Sequence, residues 1–220
     1  NLTAVIPDYS KEKLLIDADI KGPGKAVGPY FDETPLKDSL GATLQELQLD
    51  GDVNARLHLD IPLNGELVTA KGEVTLRNNS LFIKPLDSTL KNLSGKFSFI
   101  NSDLQSEPLT ASWFNQPLNV DFSTKEGAKA YQVAVNLNGN WQPAKTGVLP
   151  EAVNEALSGS VAWDGKVGID LPYHAGATYN IELNGDLKNV SSHLPSPLAK
   201  PAGEPLAVNV KVDGNLNSFE

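Results

Sequence analysis

Between Leu47 and Leu63 the odd positions are Leu47, Leu49, Gly51, Val53, Ala55, Leu57, Leu59, Ile61 and Leu63, and the even positions are Gln48, Asp50, Asp52, Asn54, Arg56, His58, Asp60 and Pro62. Successive side chains of a strand point to opposite faces. The stretch therefore reads as one long strand, Leu47 to Leu63, with an apolar side and a polar side. Its single apolar-side gap is Gly51, in phase with the leucines. Glycine weakens a strand interior and marks a kink, a bulge or a close approach of backbone.

The phrase apolar-x-Gly-x-apolar returns at Ala70-Lys71-Gly72-Glu73-Val74, Leu93-Ser94-Gly95-Lys96-Phe97, Leu137-Asn138-Gly139-Asn140-Trp141, Leu157-Ser158-Gly159-Ser160-Val161, Leu183-Asn184-Gly185-Asp186-Leu187 and Val212-Asp213-Gly214-Asn215-Leu216. Counted from Gly51, successive glycines are 21, 23, 44, 20, 26 and 29 residues apart, the longest gap being two units with one glycine missing. A loose period of this size signals a repeat architecture. No composition shift marks a boundary, so residues 1–220 are expected to form a single continuous repeat-type β domain.

Other strands are expected from Lys13 to Gly22, from Ala70 to Leu76 and again through Leu81 and Ile83 after a turn at Asn78-Asn79-Ser80. Further candidates are Leu93–Phe99, Leu109–Trp113, Leu118–Phe122, Tyr131–Leu137, Leu157–Trp163, Val167–Leu171, Tyr179–Leu183 and Val208–Val212. Two short helices are expected. One has Leu36, Leu40, Leu44 and Leu47 at helical spacing behind Thr34-Pro35, and the other runs from Pro150 to Ala156. The proline-rich Ser191–Pro205 reads as an extended flap or long loop.

Eighteen basic against 27 acidic side chains give a formal charge of -9, which disfavours a nucleic-acid or anionic-membrane surface. The chain has no cysteine, no apolar run long enough to span a membrane as a helix, and no signal peptide. It starts at Asn1 and stops at Glu220 within the pattern, as a fragment of a longer chain would. The histidines His58, His174 and His193 are far apart, and no phosphate loop or nucleophile elbow is present. Asp50-Gly51-Asp52 lacks the further acids of a calcium loop. An enzyme is not expected, nor a cofactor or metal.

Seven in-phase glycines, Gly51, Gly72, Gly95, Gly139, Gly159, Gly185 and Gly214, fit a sheet that bends at each of them and doubles over along a crease. The fold class is then mainly β, an elongated creased sheet enclosing a hydrophobic groove, with one or two short helices. The lining would come from Leu57, Leu59 and Ile61, from Val74 and Leu76, from Phe97 and Phe99, and from Trp113, Val120 and Phe122. Val133, Val135, Val161, Trp163, Ile169, Ile181 and Val210 complete it. Strands of about 10 residues reach about 33 Å, the dimension of an acyl chain. The pattern taken alone favours a closed core with glycines at tight corners, as in a structural or adhesion-type β-repeat protein. A transmembrane barrel would need aromatic girdles, and a β-helix more uniform rungs.

Leu93-Ser94-Gly95-Lys96-Phe97-Ser98-Phe99, Leu157-Ser158-Gly159-Ser160-Val161-Ala162-Trp163, Ile61-Pro62-Leu63-Asn64-Gly65 and the segment from Leu194 to Glu204 resemble the periplasmic repeats of the AsmA-like family of bridge-like lipid transfer proteins, relatives of TamB. The resemblance implies a β-taco whose groove carries glycerophospholipid from the inner to the outer membrane of a Gram-negative envelope. Family members are anchored in the inner membrane by a helix near the N-terminus. This chain would be an interior periplasmic segment of such a bridge. Its implied partners are phospholipid acyl chains, adjoining segments of the same longer chain and, through parts not present here, both membranes. The resemblance supplies no catalytic residue.

Overall fold

The computed structural model describes residues 1–7, 12–26 and 46–215, and 66% of these residues are in strands. In chain order the strands are β1 (Leu2–Val5), β2 (Lys13–Pro23), β3 (Leu47–Asp50), β4 (Asp52–Pro62), β5 (Thr69–Ile83), β6 (Ser88–Ile100), β7 (Asp103–Ser106), β8 (Leu109–Trp113), β9 (Gln116–Glu126), β10 (Ala130–Trp141), β11 (Leu157–Gly159), β12 (Val161–Pro172), β13 (Thr178–Asp186), β14 (Val190–Ser192) and β15 (Ala207–Asn215). Helix α1 spans Glu151–Ala156. Among the described residues thirteen strands form one antiparallel sheet in the order β1-β2-β4-β5-β6-β7-β9-β10-β12-β13-β15, with β3 beside β5, and β8 beside β6 and β9. Strands β11 and β14 make a separate pair.

A compact 23.5 kDa chain exposes about 9,800 Å² by size scaling, whereas this one exposes 13648 Å². The excess is what a largely single-layer sheet produces.

The sheet is creased where its ladders break. β3 pairs with the far end of β5 (Leu47↔Ile83, Asp50↔Ser80) and β4 with the near end (Val53↔Leu76 through Asp60↔Thr69), the two being separated by Gly51 at φ +93°. On β5 the break is a bulge between Leu76 and Leu81 with Asn78 at φ +53°. On β6 it lies between Asn92 (φ +54°) and Gly95 (φ +138°), the near half pairing with β8 and the far half with β7. Between β7 and β8 the chain breaks at Glu107-Pro108, so a proline stands on the crease line.

Four sequence expectations change. The strand Leu47–Leu63 is two strands divided at Gly51, because a left-handed residue ends the pleat. Asn78-Asn79-Ser80 is a bulge within one strand, since both halves of β5 keep partners on β6. The strands drawn as Leu157–Trp163 and Val167–Leu171 divide instead at Ser160, beside Gly159 at φ +97°. Leu47 belongs to β3, and the rest of the helix expected from Leu36 lies outside the described residues. The helix at Pro150–Ala156 is α1, with Pro150 at its N-cap position.

The architecture is duplicated. β3-Gly51-β4-turn-β5 corresponds to β11-Gly159-β12-turn-β13-β14, and β11 pairs with β14 (Leu157↔Ser192) as β3 pairs with the end of β5. Among the described residues a 3₁₀ turn precedes each arm, Gly24–Ala26 in the first repeat and Pro143–Lys145 in the second. The sequence echoes this faintly: Asp60-Ile61-Pro62-Leu63 against Asp170-Leu171-Pro172-Tyr173, and Leu76-Arg77-Asn78-Asn79-Ser80 against Leu187-Lys188-Asn189-Val190-Ser191.

Candidate binding groove

The strand registers place the inward residues in rows across the sheet. One row reads Ile20, Ala55, Val74, Phe97 and Ser106, and resumes through Phe122, Val135, Val167, Ile181 and Val212. The next reads Ala18, Leu57, Gly72, Phe99 and Leu104, then Thr124, Val133, Ile169, Tyr179 and Gly214. Ten strands at about 4.8 Å make each row about 43 Å long. The opposite face is polar, and its groups pair across strands: Lys13 with Asp60 at 3.1 Å, Arg56 with Asp19 at 3.7 Å and Lys96 with Glu73 at 3.0 Å. His58 belongs to that face, its Nδ1 2.7 Å from Asp17 Oδ1.

The lining candidates fall into three environments. Leu57, Leu59, Ile61, Val74, Phe97, Phe99, Trp113, Phe122, Val135, Val161, Trp163, Ile169 and Ile181 are half-buried. Leu76 and Val120 belong instead to a closed core at the first crease, packed with Val53, Leu90, Leu93, Leu109, Ala111 and Leu118. Val133 is buried beside Tyr131. Val210 is 42% exposed, because β15 is an edge strand. The candidates omit Ile16 and Ala18 of β2, Leu104, Val167, Leu183 and Val212, all in phase with the inward rows; the register of their neighbours was the signal that would have found them.

The seven glycines divide by role. Gly51, Gly95 and Gly159 adopt positive φ and sit at ladder breaks. Gly72, Gly139, Gly185 and Gly214 lie inside unbroken strands, so a bend is not what they supply. They leave room for neighbours: a Cβ on Gly72 would fall on the Arg56 carbonyl oxygen and lie 2.7 Å from Phe99 Cζ, on Gly139 2.8 Å from Trp141 Nε1 and 3.0 Å from Trp163 Nε1, and on Gly214 2.5 Å from the Tyr179 hydroxyl, whereas on Gly185 the nearest atom would be Val161 Cγ2 at 3.3 Å. Rings from neighbouring strands thus stand against Gly72, Gly139 and Gly214.

Along the crease side, aromatic rings form a chain. Trp113 stacks on Phe114 at 4.8 Å and meets Trp141 edge-on at 6.3 Å, and Trp141 meets Trp163 edge-on at 4.7 Å. Trp113 Nε1 donates to Ser88 Oγ (2.7 Å) and Trp141 Nε1 to the Pro117 carbonyl (2.6 Å). Such pairs contribute about 0.5–1.5 kcal/mol each beyond the area they bury.

Away from the crease the sheet is anchored by Tyr131, which is fully buried. Its hydroxyl donates to the Ser102 carbonyl (2.7 Å) and lies 2.8 Å from Thr124 Oγ1. Burial, with Asp103 and Glu126 nearby, pushes its pKa up to about 12 against the pull of the Thr124 contact. Above pH 10 an unfolded tyrosine ionises while the folded one resists, so the stability this group contributes is complete below pH 10 and is lost as pH rises towards 12. The loss is about 2–3 kcal/mol over those two units. Denaturant titrations at pH 9 and pH 11.5 should show it, and Tyr131→Phe should lack that increment.

Among the described residues no helix is long and apolar enough to cross a membrane, and no group of His, Asp and Glu is placed to hold a metal ion. A family model described as YhdP protein matches residues 1–220. No solved structure matches the chain.

Proposed function

The chain belongs to the YhdP family, and from that premise we propose that it is a segment of a periplasmic bridge that conducts glycerophospholipid, without chemistry, between the inner and outer membranes. The observation carrying the proposal is the half-burial of the inward rows. Residues such as Leu57, Leu59, Ile61, Phe99 and Ile181 are neither packed away nor presented freely to water, as befits a wall whose missing contacts an alkyl chain supplies. Burying a methylene is worth about 0.8 kcal/mol in a bilayer or in such a groove, so acyl chains slide along a nearly level path. Headgroups stay at the solvated rim, and direction is imposed from outside the segment.

Among the described residues β1 and β15 are the edge strands of this sheet. Adjoining segments of the same longer chain are the partners proposed for them, since a free edge is a template for a further strand. The closed-core reading is favoured in one place, the first crease, where Leu76, Leu93, Leu109 and Leu118 fill the space themselves.

A photocrosslinking residue at Leu59 or Phe99 is expected to capture phospholipid in the envelope, and one at His58 or Gln132, on the opposite face, is not. Equal labelling of both faces would sink the proposal.

A further inference from the structure

The two repeats meet at a weak place in the sheet. β9 is held to β10 by a ladder from Asn119 to Glu126 and β10 to β12 by one from Ala130 to Trp141, but β7 and β9 share the single pair Gln105↔Ser123. The amides beside that pair are bonded to side-chain hydroxyls. Leu104 N–H donates to Thr124 Oγ1 (2.9 Å) and Phe122 N–H to Ser106 Oγ (2.7 Å), and Thr124 Oγ1 in turn donates to the Ser102 carbonyl (3.1 Å). Ser106 and Thr124 are both buried and both face inward, so two polar residues interrupt the apolar rows here alone between β6 and β10. On the crease side the other half of the junction is irregular as well, β8 meeting β6 only at Lys91↔Ser112 and Ser94↔Thr110 across a register shift. Across the seam Phe97 touches Phe122 with ring centres 5.6 Å apart, a contact that tolerates sliding better than a hydrogen-bond ladder does.

We infer that the β7–β9 seam is a joint about which the two repeats rock, changing the width of the groove where it passes from one repeat to the other. A side-chain hydroxyl can rotate to follow a moving amide, whereas a carbonyl fixed in a ladder cannot. The Ser106 and Thr124 hydroxyls therefore keep the Phe122 and Leu104 amides satisfied through the motion. The use of the joint in loading rests on the lipid-conducting reading; its existence does not.

The absence of cysteine from the whole chain allows a clean test. Gln105→Cys with Ser123→Cys bridges the seam on its outer face, and Gln132→Cys with Asp170→Cys bridges the regular β10–β12 ladder as a control. Hydrogen exchange of the unmodified chain is read first. The Leu104 and Phe122 amides are expected to exchange at least about tenfold faster than the Val133 and Ile169 amides, and equal protection would overturn the joint. Loading is then followed by quenching of the groove tryptophans with vesicles of brominated phosphatidylcholine. Oxidising the seam pair should slow quenching about threefold or more, with reduction restoring the rate and the control pair having no effect. Unchanged loading in the oxidised seam variant would also overturn the inference. Absence of quenching in every form would count against lipid conduction instead, and the exchange data would still decide the joint.

Discussion

Gly159→Ala is expected to lower the melting temperature by about 10 °C. At φ +97° an L side chain already costs about 1–2 kcal/mol. The added Cβ would also fall on the Asn189 carbonyl oxygen, 3.0 Å from Asn189 C and 3.2 Å from Val190 Cα. Those are backbone atoms and cannot swing aside, so relief requires parting β11 from β14, the whole of the second arm's ladder. Strain of this kind adds about 1–3 kcal/mol, and in a chain of this size each kcal/mol moves the midpoint by about 2–4 °C. The control is Gly185→Ala, whose Cβ comes no nearer than 3.3 Å to Val161 Cγ2, the movable end of a side chain. Calorimetry of the two variants separates conformational glycines from space-giving ones. If Gly159→Ala melts with Gly185→Ala, the division is wrong.

Asn79→Ala is expected to cost about 3 kcal/mol, for a different reason. Asn79 has no exposed surface. Its Nδ2 donates to the carbonyls of Asp50 (3.0 Å) and Asp52 (3.1 Å), on either side of Gly51, while its Oδ1 accepts from Arg77 N–H (2.8 Å). One amide thus staples the bend of β3 into β4 to the bulge of β5. Removing it leaves three backbone groups short of a partner, at about 1 kcal/mol each. Asn79→Asp is the sharper variant: it keeps the acceptor for Arg77 but sets a carboxylate against two carbonyl oxygens. Its folded-state pKa is therefore raised, so the penalty is greatest at neutral pH and shrinks as acid protonates the group. Denaturant midpoints at pH 7 and pH 4 should converge with wild type for Asn79→Asp and run parallel to it for Asn79→Ala. A neutral effect of both would show that the crease holds without its staple.

The strand faces were legible because burial of one side writes period two directly into the residues, as in Leu57, Leu59 and Ile61. Gly51 and Gly159 were legible because glycine stood where a large side chain belonged. The same signal misled at Gly72, Gly139, Gly185 and Gly214, where the space serves Phe99, Trp163 and Tyr179; a glycine that yields room to a ring and one that bends the chain look alike in a sequence. Asn79 was missed because it occupies the polar-looking triplet Asn78-Asn79-Ser80, and nothing local reveals that its amide faces inward at a bulge. The closed core around Leu109 and Leu118 was invisible for a longer-range reason. It depends on which short strand, β3 or β8, folds back over the sheet, and turn residues do not encode that. The duplication was hidden by insertions, since Pro-rich residues 193–206 stand in the second repeat where a tight return to β6 stands in the first.

Within the large sheet, neighbours in space are, with few exceptions, neighbours along the chain. Each new strand docks on one that is already in place, closing a short loop and waiting for no distant partner, so little entropy is spent on bringing remote segments together. A chain built this way can be assembled from its leading end while the remainder is still being delivered.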